Sequence, residues 1–227
     1  VNKTFDLVIF DCDGVVIDSE VISARMLIEV LAMHGVHVDR AYVAKHFLGR
    51  SYPIVLAQIR TDFGISLPDG FEAAYRARLL EAFDKNLTVM PGVTRVLERL
   101  SVPFCLATSS SPERVERCLG IVGLASVFAG LVTTSVEVAK GKPAPDLFLL
   151  AAKKMGVEPD RCLVVEDSLA GIRAGVSAGM TVCHFVGGSH LRGLDISDDS
   201  AVRADRQIAS FDEFFDSVPD LDRSFAV

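Results

Sequence analysis

The 227-residue sequence predicts an α/β chain: a Rossmann-like, doubly wound parallel sheet interrupted after its first strand by an all-helical insert. Three observations carry that expectation. Short runs that are apolar almost throughout ("FDLVIF", "PFCLAT", "AGLVTT", "RCLVVED" and "MTVCHFV") recur along the chain, and strands of that kind belong in sheets covered on both faces. Longer stretches of helical periodicity separate them, the pattern of strand–helix–strand units. Between about Asp18 and Asn86 the alternation stops and helix follows helix.

Taken in order, "FDLVIF" is the first strand and runs straight into "DCDG". The helical insert follows as "SEVISARMLIEVLAMHG", "DRAYVAKHFLG", "YPIVLAQIRTDFG" and "DGFEAAYRARLLEAFDK". The α/β alternation resumes at "VMPGVTRVLERL", with crossings expected at 14–16 and 90–92. The expected division is a core of residues 1–15 and 89–227 and a helical cap of residues 16–88. "SPERVERCLGIVGL" starts as helices prefer to start: Ser111 is a suitable N-cap, Pro112 fits the first helical position and Glu113 suits the first turn. "APDLFLLAAKKMG" and "SLAGIRAGVSAG" supply two further helices. The stretch from about Gly187 to Asp205 is polar and reads as loop, and "QIAS" with "FDEFFDSV" reads as a last short strand and helix.

Composition narrows the function. Lys and Arg number 23 against 30 Asp and Glu, a formal net charge of −7. With no basic run, nucleic acid is a poor partner. No apolar run approaches the roughly 20 residues of a membrane span, and "VNKTFDLVIFD" lacks the shape of a signal peptide. The five cysteines are odd in number and show no metal-type spacing. Cys105, Cys162 and Cys183 lie within apolar runs as small hydrophobes, and a reducing cytoplasm is the expected compartment. Nothing in the sequence demands more than a monomer.

Three apolar runs end in chemistry. The first ends in Asp11 and Asp13, the second in Thr108, Ser109 and Ser110, and a later one in Glu166 and Asp167. "KGKPAPD" adds Lys140 and Lys142. Open parallel sheets bind ligands beyond the C-terminal ends of their strands, so neighbouring strands would gather acids, hydroxyls and a lysine at one edge. Clustered carboxylates repel and call for a cation, and all-oxygen ligation suits Mg²⁺. One carboxylate can serve as a nucleophile, while hydroxyls, backbone N–H groups and a lysine suit a phosphoryl group. The combination points to phosphoryl transfer.

These motifs resemble those of the haloacid dehalogenase superfamily: "DCDGVVIDSE", "LATSSS", "GKPAPD" and "VVEDSLAG", in the family's order and over essentially the whole chain. The helical insert resembles the small cap of the β-phosphoglucomutase-like sugar-phosphate phosphatases. The resemblance implies a role for each matching residue. Asp11 is the expected nucleophile and a metal ligand. Asp13 is the expected general acid and then base, with its backbone carbonyl on the metal. Thr108 is expected to hold the phosphoryl group with the Ser109 N–H and the neighbouring Ser110. Lys142 is expected to neutralise charge between Asp11 and phosphate. Asp167 is expected to complete the Mg²⁺ site, with Glu166 a direct or water-mediated ligand. Arg50 and Ser51, on the break in "FLGRSYP", are candidates for a second polar part of the substrate.

The expected activity is therefore hydrolysis of a small phosphorylated metabolite through an aspartyl-phosphate. Asp13 speaks against the dehalogenase and phosphonatase branches, which lack the second aspartate. A phosphosugar mutase is the alternative, though the cap histidine of that branch aligns with Ser23. A non-catalytic phosphometabolite-binding protein is the alternative from another class. Cys12 invites a cysteine-phosphatase reading, but the Arg of Cys-x₅-Arg is replaced by Asp18, so Cys12 is expected as packing beneath the site. "GK" at 141–142 lacks the rest of a P-loop. His46 and His190 are expected at the surface.

Overall fold

The computed structural model describes residues 4–47, 52–193 and 203–225. Six parallel strands form one sheet in the order β3-β2-β1-β4-β5-β6. They are β1 (Leu7–Phe10), β2 (Phe104–Thr108), β3 (Val132–Thr134), β4 (Cys162–Glu166), β5 (Thr181–Phe185) and β6 (Arg206–Ile208). Each coincides with a run expected to be a strand. The order places β1 beside β4, with Phe10 opposite Val165. This is the switch point at which doubly wound sheets open a crevice for ligands.

Alternation along β1 divides the core. Val8 and Phe10 face a cluster with Val96, Leu119, Phe211 and Phe214. Leu7 and Ile9 face the opposite cluster with Leu147, Phe148, Ala151 and Ile172. The helices on the sheet are α5 (Val93–Arg99), α6 (Pro112–Ile121), α7 (Asp146–Met155), α8 (Leu169–Ser177) and the short α9 (Phe214–Ser217). At the start of α6, Ser111 Oγ accepts the Arg114 N–H, and Pro112 opens the helix. Cys12 falls on the first face, 1% exposed among apolar side chains.

The insert contains α1 (Glu20–Ala32), α2 (Arg40–His46), α3 (Tyr52–Phe63) and α4 (Phe71–Asn86). It has its own apolar centre, built from Leu27, Leu31, Val43, Ile59 and Phe71. Its two connections to the sheet lie side by side. The Asp18 N–H donates to Thr88 O at 3.0 Å, and the Met90 N–H donates to Val16 O at 2.9 Å. Leu79, Phe83 and Leu87 of this segment pack into the sheet's first cluster, so apolar contact continues across the junction. Among the described residues no helix is long and apolar enough to cross a membrane.

The tail differs from the expected loop. Ser189–Leu191 forms a 3₁₀ turn in which His190 and Leu191 are buried. His190 was expected at the surface; at 5% exposed it is part of the interior, because the two glycines before it let the turn fold inward against the sheet edge. His46 is half-buried and stacks on Tyr42.

Phe10 is fully buried and meets the rings of Phe104, Phe211 and Phe214. Phe10→Ala should cost about 3–5 kcal/mol of unfolding free energy, measured by urea denaturation at constant slope.

Candidate active site

The strand ends bring four predicted residues together. Asp11 leaves β1 on the face of Leu7 and Ile9, by the period-two alternation of a strand. On that face the loop before α7 delivers Lys142. The Lys142 ammonium donates to Asp11 Oδ1 at 2.5 Å, Glu166 Oε1 at 2.7 Å and the Ala107 carbonyl at 3.1 Å. All three of its protons are thereby used, and the stem lies against the Phe148 ring. Lys142 is 5% exposed at its side chain, Asp11 9% and Glu166 1%. Asp167 follows Glu166, and ligand atoms of Asp11, Glu166 and Asp167 all lie within 4.8 Å of one another.

Burial governs the charges. It pushes the Asp11 carboxyl well above its usual range; Lys142 opposes this, while Glu166 and Asp167 add to it. Burial also raises Asp167, with Glu166 and Glu20 adding to the shift. For Lys142, burial works against the ammonium, but Asp11 and Glu166 outweigh it and hold the side chain protonated. Three buried acids thus gather at one ammonium, which touches two of them, Asp11 and Glu166. That donor set fits a hard divalent ion, which would supply the missing positive charge.

Glu166 is also held from its other side. Its Oε2 accepts the Ser168 N–H at 2.6 Å, and Ser168 caps α8 by accepting the Gly171 N–H at 3.1 Å. Gly171 makes room: a Cβ there would lie 1.8 Å from Glu166 Oε1.

Asp13 stands apart from the three acids. Gly14, at φ +81°, turns the chain, and the Asp13 carboxylate meets a separate set of donors. Oδ2 accepts from Ser110 Oγ at 2.6 Å; Oδ1 accepts from Ser19 Oγ at 2.6 Å and Arg114 Nη2 at 2.7 Å. Burial pushes Asp13 up, but the Arg114 guanidinium and the two hydroxyls outweigh it and hold Asp13 below its ordinary value. Thr108 ends β2 and is 1% exposed, its Oγ1 accepting the Ser110 N–H at 3.1 Å. Ser109 is exposed, and its carbonyl accepts from Ser135 Oγ at 2.9 Å. Arg50 and Ser51 lie outside the described residues.

Three participants escaped the sequence reading. Arg114 lies in the first turn of α6, and its guanidinium also packs over the Phe83 ring of α4. Its helix start was visible; which way the side chain points was not. Ser19 sits in "DSE", hidden among acids, and Glu20 beside it is pushed up by burial and by Asp13. His190 has Nε2 3.1 Å from Asp167 Oδ2.

The family follows from comparison with known proteins. Residues 5–179 match the model of the haloacid dehalogenase-like hydrolases. The chain belongs to that family. A 6-phosphogluconate phosphatase of Escherichia coli is 30% identical over 82% of this chain and 84% of its own length. A fructose-1-phosphate phosphatase of the same organism is 33% identical over 76% of this chain and 92% of its own. Among solved structures, a haloacid dehalogenase-like protein of unknown function from Agrobacterium tumefaciens superposes with a TM-score of 0.86 at 32% identity. That superposition covers 95% of this chain and 98% of the other. The chain is a phosphoric monoester hydrolase of this family.

Two substitutions check the local construction. Lys142→Met removes the cation from two buried carboxylates and should cost about 3–5 kcal/mol, read by denaturant unfolding at pH 7. Gly171→Ala forces Glu166 off Lys142 and the Ser168 N–H and should cost about 1–3 kcal/mol, read the same way.

Proposed function

We propose that the protein is a Mg²⁺-dependent phosphomonoesterase that works through an aspartyl-phosphate at Asp11 on a small sugar phosphate or similar metabolite. The observation that carries this reading is the division of labour between the two aspartates. Asp11 sits with Lys142 and two further acids, and Asp13 sits with hydroxyl donors and Arg114. The relatives named for sugar-acid and sugar phosphates support the substrate class. We take residues 16–88 as the cap, in keeping with their separate apolar centre.

In this reading the carboxylates of Asp11 and Asp167 and the Asp13 backbone carbonyl hold the metal, with Glu166 acting through water because its two oxygens already serve Lys142 and Ser168. Bound there, Mg²⁺ would offset phosphoryl charge beside the acids. An Asp11 carboxylate oxygen attacks phosphorus, and the bond from phosphorus to the ester oxygen breaks. Asp13 delivers its proton to the departing alkoxide. Thr108, Ser110 and the Ser109 N–H hold the phosphoryl oxygens, and Lys142 keeps Asp11 directed and balances its charge. Water then attacks phosphorus, giving a proton to Asp13. The bond to Asp11 breaks, inorganic phosphate leaves and the Asp11 carboxylate is restored.

Asp13 starts ionised among its donors, so it must gain a proton as substrate arrives. An anionic phosphoryl group brought alongside favours this, since a like charge disfavours the ionised acid. Hydrolysis is favoured over sugar mutation at Ser23. Its hydroxyl donates to the Ser19 carbonyl at 3.1 Å, and serine lacks the basic nitrogen with which the mutase histidine would take up a proton.

Phosphate release from a panel of sugar and polyol phosphates with Mg²⁺ should give a substrate with kcat/KM of about 10⁴ M⁻¹s⁻¹ or more. No release from any ester would overturn the reading. Asp13→Asn should lose about 10²–10⁴-fold in kcat on alkyl phosphates and much less on p-nitrophenyl phosphate, whose leaving group needs no proton. An equal loss on both esters contradicts the acid role.

A further inference from the structure

His190 lies outside the four motifs, yet its imidazole is wedged against one of their acids. It is 5% exposed, and its Nε2 lies 3.1 Å from Asp167 Oδ2 but off the line of a hydrogen bond, so that both buried ring nitrogens stand without a partner among the described residues. Two glycines clear the space for it. A Cβ at Gly14 would fall 2.0 Å from Asp167 Oδ2 and 3.0 Å from His190 Cε1. A Cβ at Gly188 would fall 2.5 Å from His190 Cε1 and 2.7 Å from Nδ1. Neither position accepts a side chain while ring and carboxylate stay where they are. Asp167 is gripped from a second direction too, because His184 Nε2 lies 3.2 Å from its backbone oxygen.

The turn that carries His190 also touches the helical insert. The Ser189 N–H donates to Asp18 Oδ1 at 3.3 Å, and Arg40 Nη2 donates to Ser189 O at 3.4 Å. His190 shares a small cleft with Val21 and Ala24 of α1 and Val43 of α2. The ring therefore stands between the insert and the acid cluster.

We infer that His190 is a positioning residue for the metal site: a small turn of ring or carboxylate seats its buried Nε2–H on Asp167 Oδ2 and steadies that carboxylate beside Asp11 and Glu166. This rests on the Mg²⁺ reading above. A carboxylate anchored in advance surrenders less side-chain freedom when it ligates. Partners of ligating carboxylates typically set 10–100-fold in metal affinity. Gln places its amide nitrogen near the Nε2 position, whereas Ala supplies no donor.

The test is isothermal calorimetry of Mg²⁺ binding to the full chain, with melting temperature recorded in the absence of metal. His190→Ala should bind Mg²⁺ roughly 10–100-fold more weakly, and His190→Gln should recover most of that loss. Leu191→Ala, a packing change in the same turn that leaves the imidazole in place, should lower the melting temperature and keep Mg²⁺ affinity within about twofold. Unchanged affinity in His190→Ala overturns the inference, as does an equal loss in the Ala, Gln and Leu191 variants. No Mg²⁺ binding by the unaltered protein overturns the metal reading itself, and this inference with it.

Discussion

Everything at the sheet edge depends on one buried ammonium. Lys142 reaches across from the loop before α7 and places its three protons on Asp11, Glu166 and the Ala107 carbonyl. Without that charge, the ends of β1 and β4 would bring carboxylates together with burial alone acting on them, a strongly unfavourable arrangement. With it, one acid pair is satisfied and a third, Asp167, is left short of a cation. The shortfall makes the edge a site rather than a packing solution, because the three acids fit a divalent cation.

The sheet order explains why those groups can meet. Asp11 and Glu166 belong to strands far apart in sequence but adjacent in the sheet, at the point where the winding reverses. Strand alternation then sorts the side chains by face. Cys12 goes to the apolar face of Val8 and Phe10, and Asp11 to the opposite face with Lys142. Gly14 turns Asp13 out of the strand's parity altogether, which is how two acids a residue apart come to have different donors and opposite shifts. Burial prevails at Asp11; Arg114 with Ser110 and Ser19 prevails at Asp13.

The strands were legible because a parallel strand covered on both faces must be apolar throughout, and few other segments are. The first-turn chemistry of α6 was legible for the same local reason. Lys142, Glu166 and Asp167 were readable as strand-end or loop polar groups. What could not be read were contacts set by the path of the chain in space. Arg114 looks like an ordinary first-turn arginine until Phe83 from α4 closes over it. His190 sits in a polar stretch whose composition says loop, and its buried ring needs the space left by Gly14, distant in sequence, as well as by Gly188 two residues before it. Arg50 and Ser51, expected to meet a second polar part of the substrate, lie outside the described residues.

The central claim is that Asp11 is the atom donor to phosphorus and Asp13 is not. Its most direct test is acid-quenched single turnover followed by peptide mass spectrometry, using the Asp13→Asn protein and an activated aryl phosphate so that the second step is slowed. The account predicts a phosphoryl group on the peptide containing Asp11, lost in the Asp11→Asn, Asp13→Asn double variant. Turnover with no phosphorylated peptide at any quench time, or turnover that survives in the double variant, would contradict it.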